Sequence, residues 1–167
     1  MSVICIDTNI AIWGIKRQSS STQVDMIRRA EVFLSQLKKD DKRILIPSIV
    51  LGEMLIDGNS AFLSDIQSRV ERSFIVGDYG ALAAMHFARL WRNYNGSLDV
   101  KELRESGKTR HELKADRMIV ATAIAFGAEC IYSHDPGVKL FGGKEIEVRE
   151  LPVLPDQLFL NLSEFSQ

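Results

Sequence analysis

The sequence predicts an α/β domain, because short apolar runs alternate along it with longer segments of helical periodicity. Its 167 residues fit a single domain, and a content of 46% hydrophobic and 26% charged residues is that of an ordinary globular chain. Continuous apolar runs are typical of strands that are covered on both faces. Strands separated by helix-length segments favour a mostly parallel sheet between two helical layers. We therefore expect an α/β/α sandwich in one domain over residues 1–167.

Five short segments are predicted to be strands. The first is a continuous apolar run, the second ends at Pro47, and the last alternates between polar and apolar residues, as at the edge of a sheet. The predicted strands cover residues 3–6, 44–46, 74–76, 129–133 and 146–149.

The segments between these strands carry helix signals. Ser48 is predicted to be the N-cap of the helix that follows the second strand. Thr109 and Glu112 have the spacing of a capping box before a strongly apolar helix, and Gly127 is placed to end that helix. The polar residues 97–108 are expected to form a loop or a loose helical insertion, and the tail at 151–167 has no regular pattern. The predicted helices cover residues 8–15, 22–39, 50–55, 61–72, 78–94 and 113–126.

Composition and charge exclude several classes of protein. The 21 basic and 22 acidic residues give a net charge of −1, which excludes a uniformly basic nucleic-acid binder but allows a local basic patch. Cys5 and Cys130 lie in apolar runs and predict buried thiols, not a zinc site or a disulfide framework. No apolar run reaches the roughly 20 residues of a membrane helix, and no leader pattern opens the chain. We expect a cytoplasmic protein.

Polar residues follow the predicted strands at the positions where ligands collect in parallel sheets, beyond the carboxyl ends of the strands. Asp7, Thr8 and Asn9 come directly after the first strand, and the segment Ser133-His134-Asp135 follows the fourth. Glu53 lies on the helix after the second strand.

Each acid taken alone also has a structural explanation. Asp7 suits an N-cap, Asp135 begins a good turn sequence, and Glu53 suits a solvated helix position. Asp116 is harder to explain, because it shares a helical face with Ile119 and other apolar residues and a buried carboxylate is unfavourable unless it is paired. Four carboxylates at one edge of the sheet would repel one another unless a divalent cation lay between them. Oxygen ligands favour Mg²⁺ or Mn²⁺, which can activate water and neutralise the charge that develops on a phosphodiester.

These residues together resemble the PIN-domain family. The segment Ile6-Asp7-Thr8-Asn9 looks like the opening of such a domain, and Gly52-Glu53 stands at the family's next acidic position. Residues 115–123, which include Asp116, resemble the family's late helix, and Ser133-His134-Asp135 resembles the Thr/Ser-x-Asp that ends its pattern. The resemblance covers residues 3–141.

The resemblance implies a five-stranded parallel sheet in the order 3-2-1-4-5 and cleavage of RNA that depends on Mg²⁺ or Mn²⁺. It also implies a VapC-type toxin with an antitoxin partner, and dimers are common in the family. On the family pattern the catalytic and metal-binding acids would be Asp7, Glu53, Asp116 and Asp135, supported by Thr8, Asn9 and the hydroxyl of Ser133. This chain departs from the pattern at His134, where Asn is frequent, and at Pro136-Gly137, which lengthens the spacing to an aromatic residue.

A basic stretch adjoins the predicted site. Residues 101–117 contain six basic and four acidic side chains, so phosphate contacts are expected there, although a solvated charged surface has the same pattern. The candidate RNA contacts are Arg110, Lys114 and Arg117.

Three functions are compatible with these residues. The leading one is a metal-dependent ribonuclease acting on single-stranded RNA, and the second is a non-catalytic PIN-like module that binds RNA or protein. The third is a receiver-like or phosphatase-like domain that uses Asp7 in phosphoryl chemistry. A receiver would need an acidic pair after the first strand, and a phosphatase a second acid where Asn9 stands.

Overall fold

The computed structural model describes residues 2–56, 58 and 60–154. Its five strands form one sheet in the order β3-β2-β1-β4-β5, and all four strand pairs are parallel. This confirms the predicted fold class and the strand order. The strands are β1 (Val3–Ile6), β2 (Arg43–Pro47), β3 (Ile75–Gly77), β4 (Cys130–Tyr132) and β5 (Glu147–Arg149).

Helices cover both faces of the sheet and connect its strands. The first, α1, continues into a π-helical turn over Ile12–Lys16. The helices are α1 (Thr8–Ala11), α2 (Val24–Lys39), α3 (Ser48–Leu55), α4 (Ser60–Ser73), α5 (Ala81–Tyr94), α6 (Leu98–Glu105), α7 (Arg110–Ala125) and α8 (Pro136–Gly142).

The core consists of two apolar layers, one on each face of the sheet. Because side chains alternate along a strand, Ile4 and Ile6 of β1 pack with α2, α3 and α4, whereas Cys5 faces α5, α7 and α8. Cys5 and Cys130 are both buried free thiols, as predicted. No helix among the described residues has the length and apolarity to cross a membrane.

Two local predictions need correction, at Ser48 and after Asp135, and the structure decides between the two alternatives for residues 97–108. Ser48 is not an N-cap, because β2 runs through Pro47 and α3 begins directly at Ser48, with Pro47 in the cap position. Residues 97–108 contain a regular helix, α6, whose N-cap Ser97 accepts a hydrogen bond from the amide of Val100 at 3.3 Å. Residues 136–142, expected to begin with a turn, form α8 with Asp135 as its N-cap.

The ends of α7 agree with the sequence pattern. Thr109 and Glu112 form the predicted capping box, and Gly127 follows the helix with a φ of 64°. In the tail, residues 151–154 have no regular structure, and Arg29 donates hydrogen bonds to the carbonyls of Leu151 and Pro152. Residues 155–167 lie outside the described residues.

Candidate active site

All four predicted acids line one cavity of about 210 Å³ at the carboxyl ends of the central strands. Thr8 and Asn9 line it as well, whereas Ser133 lies buried behind it. The cavity also contains two charged residues that were not predicted as site residues, Lys108 and Glu112.

Asp7 is positioned by the end of β1 and the start of α1. Its carboxylate accepts a hydrogen bond from the amide of Ile10 at 3.0 Å and another from the hydroxyl of Ser133. The side chain is only 2% exposed, and this burial raises its pKa from 3.8 to about 6. The two hydrogen bonds favour the charged form and limit the rise, while the charge of Asp135 adds to it.

Ser133 connects two of the acids. Tyr132 of β4 is in register with Ile6 of β1, so the residues that follow them, Ser133 and Asp7, leave adjacent strands side by side. The Ser133 hydroxyl donates to Asp7 and accepts from the amide of Asp135 at 2.9 Å. Ser133 thereby links the carboxylate of Asp7 to the backbone of Asp135.

Asp135 is held by the N-terminus of α8. Its Oδ1 accepts hydrogen bonds from the amides of Gly137 at 2.7 Å and Val138 at 3.3 Å. The side chain remains 23% exposed toward the cavity, so it is the more accessible of the two acids at the ends of β1 and β4.

Asp116 lies on α7, on the side that faces the cavity, and is 6% exposed. Burial raises the pKa of its carboxyl from 3.8 to about 7, although a hydrogen bond from Lys108 opposes the rise. Gly137 leaves the space that this carboxylate occupies, because a Cβ atom at Gly137 would lie 2.0 Å from Asp116 Oδ2.

Glu53 reaches the cavity from α3. The hydroxyl of Thr8 donates a hydrogen bond to Glu53 Oε2 and so joins α1 to α3 across the cavity. The Thr8 hydroxyl thereby orients the Glu53 carboxylate. Asn9 is exposed at the cavity edge.

Lys108 contacts two of the acids. Its Nζ lies 2.5 Å from Asp116 Oδ2 and 2.5 Å from Asp135 Oδ1. Burial disfavours the charged ammonium, but the two carboxylates outweigh burial and raise the pKa of Lys108. The sequence offered no specific signal for this role, since Lys108 is one of six basic residues in a polar stretch.

The donor set suits a hard divalent cation. Four carboxylates supply only oxygen ligands, and the position between Asp116 and Asp135 already holds a positive charge, the Lys108 ammonium. Within the described ranges, no three Asp, Glu, His or Cys side chains stand close enough together to hold an ion as they are arranged. The predicted convergence thus takes the form of a shared cavity whose central pair, Asp116 and Asp135, is bridged by Lys108.

The predicted RNA contacts fall into two groups. Arg110 and Lys114 are exposed, and Arg110 lines a second cavity of about 410 Å³ with Lys101, Arg104 and Lys108. Arg117 does not belong with them. It is 3% exposed, and its guanidinium lies 4.1 Å from the ring centre of Phe141 and 4.7 Å from that of Trp91.

The assignment of Arg117 as a substrate contact is therefore corrected: it is a packing residue between two aromatic rings.

His134 also points away from the acids. Its Nε2 accepts a hydrogen bond from the amide of Leu151 at 3.1 Å, and its ring meets Trp13 edge-on.

Comparison with known proteins identifies one family. The family model for the PIN domain matches residues 4–144. No curated protein sequence matches the chain.

Two solved structures share the fold. A chain of VapBC2 from Rickettsia felis, bound to a DNA fragment from its promoter, is 18% identical with a TM-score of 0.56, and the match covers 90% of this chain and 99% of that one. A chain of DNA-bound VapBC from Salmonella typhimurium is 19% identical with a TM-score of 0.55, and the match covers 91% of this chain and 100% of that one.

Proposed function

This chain belongs to the PIN domain family, and we propose that it is a Mg²⁺- or Mn²⁺-dependent endoribonuclease that hydrolyses single-stranded RNA. The observation that carries the proposal is the single cavity that is lined by Asp7, Glu53, Asp116 and Asp135 and lies beside a basic second cavity. An acidic site suits a divalent cation, and the adjoining lysines and arginines suit a phosphate backbone.

The residues of the site have distinct tasks in this proposal. Asp7, Asp116 and Asp135, with Glu53, would hold the divalent ion, which when bound supplies Lewis-acid stabilisation of the charge that develops on the phosphodiester. Ser133 and the amide of Ile10 fix the two oxygens of Asp7, so that this carboxylate is oriented before substrate arrives. Thr8 fixes Glu53 in the same way. A water that attacks phosphorus in line must lose a proton, and a carboxylate of this cavity that does not hold the ion would accept it.

The substrate would enter across the second cavity. Arg110, Arg104 and Lys101 line it and share Lys108 with the acidic cavity, so a strand whose phosphates lie along them would place one phosphodiester near Asp116. Lys114 is exposed on the same helix as Arg110 and would extend this track. These contacts carry no base recognition, and we assign no sequence preference to them.

The cleavage assay should use a labelled single-stranded RNA and purified protein. With Mn²⁺ or Mg²⁺ we expect cleavage, and with a chelator, Asp7→Asn or Asp116→Asn we expect at least a 100-fold loss, which is the order of a lost acid–base or charge-stabilising group. Asp78→Asn is the matched control, because Asp78 is an exposed acid at the end of β3 that does not line the cavity. Cleavage that survives the chelator or either site variant would contradict the proposal. Tight RNA binding without turnover in either metal would instead indicate a non-catalytic module.

The similar solved structures are VapBC complexes, and on that basis we propose that this protein is the toxin of a toxin–antitoxin pair. The homodimer implied by the family resemblance and the cytoplasmic location expected from the sequence are part of the same proposal. Expression of the wild type is expected to arrest growth, and Asp116→Asn or co-expression of a neighbouring gene is expected to restore it. Arrest by the Asp116→Asn variant, or growth unaffected by the wild type, would contradict the toxin assignment.

A further inference from the structure

Lys108 lies where a cation is expected in the acidic cavity. The residue belongs to the turn between α6 and α7, yet its ammonium lies within 2.5 Å of an oxygen of Asp116 and of Asp135, and its side chain is only 13% exposed. Gly107, which precedes Lys108, has a φ of 106°, a conformation that favours glycine, and lies in the turn that connects α6 to α7. The chain therefore carries its own positive charge into the site.

An ammonium and a divalent ion need the same oxygen lone pairs. A divalent ion bound between Asp116 Oδ2 and Asp135 Oδ1 would occupy the position of the Lys108 ammonium. Two cations cannot share that position, because they would overlap and repel each other. Binding of the ion between these carboxylates therefore requires Lys108 to leave at least one of them.

We propose that Lys108 is a tethered counter-ion that competes with the divalent cation and so sets the concentration of cation at which the site fills. This inference rests on the metal site of the proposed function. The same ammonium shields Asp116 and Asp135 from each other when the ion is absent, which keeps two nearby carboxylates compatible with the fold.

The structure also offers the displaced side chain a destination. Lys108 lines both the acidic cavity and the second cavity, where its neighbours include Glu105 as well as Arg104 and Arg110. A lysine released from Asp116 would remain beside the second cavity, which the Glu105 carboxylate also lines.

The direct test measures Mn²⁺ affinity by titration calorimetry on the full chain. Lys108→Met removes the competitor with little change in side-chain length, and we expect its Kd for Mn²⁺ to fall at least tenfold below that of the wild type. Lys101→Met is the matched control, because Lys101 lines the second cavity but not the acidic one, and its removal reports only the loss of a nearby charge. We expect the control to change Kd less than threefold.

A second measurement uses the wild type alone and so does not depend on the variant folding. Lysines are labelled with an amine-reactive acetylating reagent and quantified by mass spectrometry with and without saturating Mn²⁺. We expect the labelling of Lys108 to increase severalfold with Mn²⁺, while that of the exposed Lys101 stays the same.

The outcomes separate this inference from the proposed function. If Lys108→Met and Lys101→Met change Kd equally, or if Mn²⁺ leaves the labelling of Lys108 unchanged while the protein binds Mn²⁺ and cleaves RNA, the competition is refuted and the nuclease stands. If Asp116→Asn does not weaken Mn²⁺ binding, either in the wild type or in the Lys108→Met variant, the proposed metal site is refuted. The inference about Lys108 is then refuted as well.

Discussion

Replacing Asp7 by Asn is expected to make the metal-free protein more stable at pH 8 while it abolishes cleavage. The carboxylate of Asp7 is 2% exposed, and its pKa is about 6 in the folded chain against 3.8 for an ordinary aspartate. The folded state therefore keeps this proton to higher pH than the unfolded state does. Stability falls as pH rises from about 4 to about 6, and the loss is constant above that range.

The size of the effect follows from the pKa difference. A rise from 3.8 to about 6 corresponds to about 3 kcal/mol, at about 1.4 kcal/mol for each pKa unit. Asn cannot ionise, and its carbonyl can still accept from the Ile10 amide while its amide donates to a rotated Ser133 hydroxyl. The difference in unfolding free energy between Asp7→Asn and the wild type should therefore grow by about 2–3 kcal/mol from pH 4 to pH 8.

The assay is urea denaturation in the presence of a chelator at a series of pH values between 4 and 8. Asp78→Asn serves as the control, because Asp78 is exposed and its replacement should leave the pH profile unchanged. A stability difference between Asp7→Asn and the wild type that does not vary with pH would refute the reasoning, and so would a variant that is less stable than the wild type at pH 8.

Three other substitutions test the packing around the site. Gly137→Ala places a methyl group 2.0 Å from Asp116 Oδ2, so we expect at least a tenfold loss of cleavage with an unchanged circular dichroism spectrum. Gly80→Ala is the control and should keep full activity, because a Cβ atom there would meet no atom within 4 Å. Thr109→Ala breaks the capping box of α7 and should lower the unfolding free energy by about 1 kcal/mol in urea denaturation, and an unchanged value would show that the cap is dispensable. Arg117→Met should leave the salt dependence of RNA binding unchanged, since the guanidinium is buried between aromatic rings, and a shallower dependence would show that it contacts phosphate after all.

The central strands β1 and β2 could be predicted because each is largely an apolar run between helix-length segments, and burial on both faces of the sheet requires that pattern. The edge strand β5 was indicated instead by its alternation of polar and apolar residues. The strand order came from the family resemblance. Helix α8 was missed because Asp135, Pro136 and Gly137 are all good turn formers, and the same residues also suit an N-cap and first helical turn. The helix is favoured because it packs Val138 and Phe141 into the apolar layer against the sheet, and that packing cannot be seen in the local sequence.

The acids of the site could be predicted for a related reason. Asp7 and Asp135 follow adjacent parallel strands, so their meeting is a property of the topology, and Asp116 was indicated by its place on an apolar helical face. The place of Lys108 could not be predicted, because its contacts with Asp116 and Asp135 depend on the path of the turn between α6 and α7, and no periodicity in the sequence encodes that path. Arg117 was wrongly predicted to contact phosphate, because the sequence shows that it is basic and close to the site but does not show that aromatic rings cover its guanidinium.

The chemistry of Asp7 also bears on the choice between an enzyme and a non-catalytic module. As a helix cap and a partner of Ser133, Asp7 does nothing that Asn could not do, since Asn also caps helices well and also bonds a hydroxyl. As a carboxylate it lowers the stability of the metal-free fold by about 3 kcal/mol at neutral pH. Asp116 is subject to the same burial and has its pKa raised to about 7. A module that only bound a partner would have no need of charge at these two buried positions, whereas a cation-dependent hydrolase needs it at both.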